Sequence, residues 1–123
     1  MERESYLELY VSEAQEHLRA LNAAILDLES SGGKSGLEEA FRVAHTLKGM
    51  SAAMGFDAAA ELAHRLEDLL DAVRRGRRKL TARLADELLR LADEVEAAVR
   101  GAPGAAPAPK RRARKSAPRA RPS

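Results

Sequence analysis

His45, Lys48 and Gly49 form a local grouping whose residue types could do chemistry together. On a helix, with Ala44 at the centre of the buried stripe, His45 lies about 100° round the axis, Lys48 about 40° and Gly49 about 140°. The imidazole then sits on the shoulder of the helix, exposed yet supported. Lys48, three residues on, is close enough for its ammonium to meet an anion built on the ring. Gly49, four residues on, removes the side chain that would shield it. A helical glycine costs about 1 kcal/mol relative to alanine, so its presence asks for a reason, and close approach by another protein is one. The same spacing also fits a surface histidine, a solvated lysine and a glycine notch against a neighbouring helix. Periodicity alone leaves both readings open.

The elements that would position these residues are all helical, because Ala, Leu, Glu and Arg dominate and alternating runs of β-branched and aromatic residues are missing. A capping box at Ser5-x-x-Glu8 predicts a first helix over about 6–30, with Leu7, Val11, Ala14, Leu18, Leu21, Ile25 and Leu28 inward and Ser31-Gly32-Gly33 as its stop. A second box, Ser35-x-x-Glu38, opens a helix over 36–54 that buries Leu37, Ala40, Phe41, Ala44, Leu47, Ser51 and Met54 and ends at Gly55. Asp57 is placed to cap a third helix over 57–75, with Leu62, Leu66, Leu69, Leu70 and Val73 inward and Gly76 just beyond its end. Thr81 caps a fourth over 81–100, carrying Leu84, Leu88, Leu91, Val95 and Val99 and ending at Gly101. Four amphipathic segments joined by short connections predict an all-α, antiparallel up-down four-helix bundle.

At 123 residues the chain suits one domain with a real core, assigned to residues 1–101. Residues 102–123 read as a basic linker, since five prolines among Ala and Arg cannot bury a core, and the expectation is disorder. This tail ends without a helix stop, so more chain is expected to follow. Seven of the 21 basic residues lie in the tail and none of the 19 acidic ones does, so the remainder holds 14 against 19 and carries about −5. The absence of cysteine excludes disulfides and Cys-based metal sites. No apolar stretch is long enough for a signal peptide or membrane span, which makes a soluble cytoplasmic protein the expectation. The basic tail leaves an alternative reading, a helical adaptor binding nucleic acid or an anionic membrane. The acidic folded part and the scarcity of aromatic residues argue against it, and neither nucleic-acid binding nor membrane insertion is expected.

The string Ala44-His45-Thr46-Leu47-Lys48-Gly49-Met50-Ser51-Ala52-Ala53-Met54-Gly55-Phe56 resembles the phosphorylation-site helix of the N-terminal histidine phosphotransfer domain of the chemotaxis kinase CheA. A second segment, His64-Arg65-Leu66-Glu67-Asp68-Leu69-Leu70-Asp71, is similar to that family's third helix, and the helical layout of residues 1–100 agrees. The resemblance implies that His45 is the phosphoacceptor, that Lys48 is the nearby cation, and that Glu67 hydrogen-bonds one imidazole nitrogen. His64 matches a further polar residue of the site network, and Gly49 gives steric access. The family domain often carries another helix after these four, and the tail here shows no such periodicity.

Chemically, the acceptor must present a nucleophilic nitrogen in a fixed tautomer, because phosphoryl transfer depends on positioning and charge stabilisation. A carboxylate accepting N–H from one ring nitrogen leaves the lone pair of the other pointing outward. Lys48 offers a point charge to the phosphoryl oxygens. No Gly-rich phosphate loop is present, so the domain is expected to bind no cofactor of its own, ATP and Mg²⁺ coming with partners. It is not expected to be an enzyme by itself, although its parent would be a histidine protein kinase. The implied partners are a kinase ATP-binding domain and CheY-like or CheB-like receiver domains, in a parent that dimerises through other domains.

Other residues read more plainly. His17 is a boundary residue, Met50 and Met54 are packing or contact surface, and the three histidines make no i, i+4 metal pair. His64 and Glu67, three apart on one face, could by spacing alone be a surface pair. Arg74, Arg75, Arg77 and Arg78 read as a solvated helix end that complements the dipole.

Overall fold

The computed structural model describes residues 3–31 and 34–101, which form four helices and no strand. They are α1 (Arg3–Ser31), α2 (Lys34–Ala53), α3 (Asp57–Arg74) and α4 (Ala82–Val99). Each helix packs on its neighbour in the chain and α1 closes the ring against α4, the up-down bundle expected of connections this short. The assigned linker, 102–123, lies outside the described residues, as do Gly32 and Gly33 of the first stop signal. No described helix is long and apolar enough to cross a membrane.

The helix ends show how sequence fixes the turns around the site. Gly55 and Gly76 have φ of 80° and 79°, the left-handed conformation that terminates a helix with little strain only for glycine. After α2, the Gly55 N–H donates to the Ala52 carbonyl at 3.1 Å and the Phe56 N–H to that of Ser51 at 2.9 Å. After α3, Gly76 donates to Val73 at 3.1 Å and Arg77 to Ala72 at 2.8 Å, the same paired closure. At the start of α4, Thr81 is extended and its hydroxyl accepts from the Leu84 N–H at 3.1 Å.

Three expected starts differ. α1 already includes Arg3, so Ser5 lies inside it, and α2 begins at Lys34, so Ser35 is likewise helical. Helix propensity and bundle packing carry the helices beyond these local capping signals. Phe56 occupies the cap position of α3 with no side-chain bond, and Asp57 is the first helical residue, where its charge complements the helix dipole.

Leu21, Ile25, Leu47, Leu66, Leu70, Leu84, Leu88, Val95 and Val99 are fully buried at the centre. The inward face of α1 rotates along its length. Tyr10 is buried while Leu7 and Val11 are only partly so. A straight helix drifts about 20° per heptad from a strict seven-residue repeat, which over the 29 residues of α1 turns Tyr10 inward. Its hydroxyl and that of Ser51 in α2 share a buried 2.7 Å hydrogen bond, and its ring lies 4.6 Å from that of Phe56. Burial raises the Tyr10 pKa, partly offset by the Ser51 bond. In α3 the buried face likewise shifts, with Ala59, Ala63 and Glu67 inside and Leu62, Leu69 and Val73 only partly covered. Both α2 and α3 bury alanines (Ala40 and Ala44; Ala59 and Ala63), small side chains that permit close helix approach.

Candidate functional site

That close approach brings α3's one buried acid against α2's exposed histidine. His45 stands on the α2 shoulder with 62% of its side chain exposed, whereas the Glu67 side chain keeps 11%. His45 Nδ1 lies 2.6 Å from Glu67 Oε2. A carboxylate can only accept, so Nδ1 carries the proton and Nε2 presents its lone pair on the open side of the ring. Glu67 Oε1 is 2.7 Å from the Lys48 ammonium and has no other partner among the described residues. One carboxylate thus divides its two oxygens between an imidazole and an ammonium.

The electrostatics follow from this arrangement. Burial pushes the Glu67 carboxyl up, but hydrogen bonds and charges of Lys48 and His45 outweigh it and hold the group below its ordinary value. It is ionised near neutral pH and available as a permanent acceptor. Lys48, expected from spacing to face an anion on the ring, is turned onto Glu67, where it fixes the carboxylate that fixes the imidazole.

Gly49 is exposed, and a Cβ built on it would meet nothing within 4 Å. The notch reading left open by the sequence therefore has no packing partner to support it. Next to it the α2 surface continues as exposed Ala52 and Ala53, so the ground beyond His45 is low. His64 is not brought to the imidazole: 58% exposed, its Nε2 lies 3.6 Å from Asp68, one turn on in its own helix. Both residues that engage Glu67, His45 and Lys48, come from α2. His17 is half-buried on α1, and Met50 and Met54 pack against the edge of the core.

Two residues beside the site were not foreseen as such. Phe41, one turn before His45, holds its ring nearly parallel to the imidazole, 18° apart with centroids at 6.5 Å. Over Phe41, 4.0 Å from its centroid, lies the Arg74 guanidinium. Arg74 is therefore more than a solvated helix end, as the arginine run had implied. It donates to Asp71 at 2.8 and 3.2 Å and to Glu38 of α2 at 3.4 Å, spanning the two helices. The hydrogen bond to Asp71 raises the Arg74 pKa, and bonds from Arg74 and Arg75 lower that of Asp71. Placing an aromatic residue four before a histidine on one helix is a signal present in the sequence; the cross-helix arginine is not.

A buried carboxylate aiming an exposed histidine from a neighbouring helix is the arrangement the sequence resemblance implied, and the family model for the Hpt domain matches residues 5–100. The chain belongs to the Hpt family. Among its relatives, the chemotaxis protein CheA of Halobacterium salinarum is 46% identical over 95 residues, covering 76% of this chain and 14% of that protein. The CheA of Bacillus subtilis is 41% identical over 100 residues, 80% of this chain and 15% of its own length. This Hpt chain thus spans about a seventh of the relatives it matches. The solved CheA phosphotransferase domain from Thermotoga maritima superposes with a TM-score of 0.77 at 38% identity, covering 80% of this chain and 95% of that one. A computationally redesigned four-helix bundle, 24% identical with a TM-score of 0.75, shares the Hpt fold.

Proposed function

We propose that this domain is a phosphocarrier of a CheA-type chemotaxis kinase, and that Nε2 of His45 takes and gives the phosphoryl group. The observation that carries the proposal is the division of the imidazole: Nδ1 is committed to Glu67 at 2.6 Å while the ring stays 62% exposed. In the first step the Nε2 lone pair attacks the γ-phosphorus of ATP held by the kinase's ATP-binding domain. The bond to the bridging oxygen breaks, and ADP leaves with the electron pair. Positive charge appearing on the ring is met by Glu67 through the Nδ1–H. In the second step a carboxylate oxygen of a receiver-domain aspartate attacks the phosphorus, the P–N bond breaks and its pair returns to Nε2. Suitable receivers are CheY-like and CheB-like proteins.

A convex helix face suits this work, since one imidazole must enter two different clefts in turn, and a deep pocket would obstruct both. Nucleotide and Mg²⁺ belong to those partners in this reading. So do dimerisation and catalysis proper, which the parent kinase carries elsewhere in a cytoplasmic assembly. The test is phosphorylation of the 123-residue chain by a CheA kinase core with labelled ATP. Wild type is expected to acquire acid-labile, alkali-stable phosphate and His45→Gln none. Label persisting on His45→Gln overturns the assignment.

A further inference from the structure

We infer that Phe41, gripped by Arg74, is a positioning residue that limits the swing of the His45 imidazole; the inference rests on His45 being the phosphoacceptor. Side chains on a helix lean toward its N-terminus, so the ring of His45 lies over the turn that carries residue 41. The two rings stand 18° from parallel with centroids 6.5 Å apart, so the phenyl flanks the imidazole on its N-terminal side. A single hydrogen bond to Glu67 tethers Nδ1 but leaves the ring free to rock about that contact. A flat neighbour on one side limits rocking toward it.

The phenyl ring is itself held. Phe41 is only half-buried and would have rotamer freedom of its own. The Arg74 guanidinium covers it at 4.0 Å. Arg74 in turn is fixed by Asp71 on α3 and Glu38 on α2. The two helices are thereby clasped at two neighbouring levels, Phe41 with Arg74 and His45 with Glu67. The charge of Arg74 is matched by the two acids that hold it, so its part here is mechanical and acts through the phenyl ring.

The experiment uses the full 123-residue chain as wild type, Phe41→Leu, Phe41→Tyr, Arg74→Gln and His45→Gln. Leucine keeps an apolar side chain at a partly buried position and tyrosine keeps the flat ring. Melting curves and circular dichroism confirm folding. Nitrogen NMR of the His45 ring reports the share of molecules protonated at Nδ1, and a CheA kinase core with ATP and Mg²⁺ gives kcat and KM for phosphorylation. Phe41→Leu is expected to lower kcat by about three- to tenfold at unchanged KM, with a smaller share of Nδ1–H. Arg74→Gln should move both readouts in the same direction by less, and Phe41→Tyr should restore them.

A folded Phe41→Leu with wild-type tautomer balance and kcat overturns the inference, as does a change confined to KM, which would make Phe41 a docking contact. Phe41→Tyr as slow as Phe41→Leu also overturns it, because the flat ring would then be irrelevant. His45→Gln separates the two levels: label on that variant sinks the phosphoacceptor reading itself, whereas its silence beside a fully active Phe41→Leu sinks only the positioning role.

Discussion

Replacing Gly49 by alanine should make the domain more stable and less useful. The residue sits inside α2, is exposed, and is not among the glycines with positive φ. A Cβ there would touch nothing within 4 Å, so the substitution brings no clash and no lost contact. What remains is the backbone entropy that glycine loses on entering a helix, about 0.5–1 kcal/mol relative to alanine. For a domain of this size, 1 kcal/mol moves Tm by roughly 4–8 °C, so Gly49→Ala should melt about 2–8 °C higher. A calorimetric scan of the whole chain measures this, and a urea titration should show a higher midpoint with unchanged slope. Transfer of phosphate from the loaded domain to a receiver protein should be slower, because the new methyl stands at the i+4 position from His45, on the exposed face that the proposed receiver would cover. A lower Tm would mean that Gly49 serves the fold after all. A raised Tm with undiminished transfer would mean that the open ground beside His45 is not what partners use.

Two further outcomes follow from the same structure. Thr81→Ala removes the acceptor of the Leu84 N–H and should destabilise the domain by about 1 kcal/mol, read as a lower denaturation midpoint; no change would show that water replaces the cap fully. The Glu67 carboxyl is held below its ordinary value, so its ionisation favours the folded state above the unfolded carboxylate pKa of about 4.3, and this contribution fades as pH falls through the lower folded value. Glu67→Gln should therefore flatten the acid side of the stability curve and, near neutral pH, slow phosphorylation of a still-folded protein; an identical acid limb or unchanged kinetics would remove Glu67 from that role.

The four helices were legible because their apolar residues recur at steps of three and four and because Gly55, Gly76 and Thr81 carry stop and start signals that act locally. Ser5 and Ser35 misled for the same reason turned round: a serine three residues before an acid is equally compatible with a helix that has already begun. Tyr10 escaped because a seven-residue template was laid on a long straight helix, whose inner face drifts. At the site, the placement of His45 and Gly49 on the α2 shoulder could be read from one helix alone. The meeting with Glu67 depends on how α3 rotates against α2, and only family resemblance supplied it in advance. His64, which the resemblance placed in the wider site network, contacts Asp68 on its own helix. Arg74 over Phe41 joins residues 33 apart in the chain, which no local pattern encodes.

His45 is carried in the middle of a 20-residue helix, with the core on one side and a closed turn at its C-terminal end, and not on a loop. If His45 carries the phosphoryl group as proposed, the anion is added on an exposed side chain of that helix and not within the core. In the proposed relay, whatever distinguishes a full carrier from a spent one would feel the added anion itself, and a spent domain would compete for the same docking ground until it is refilled.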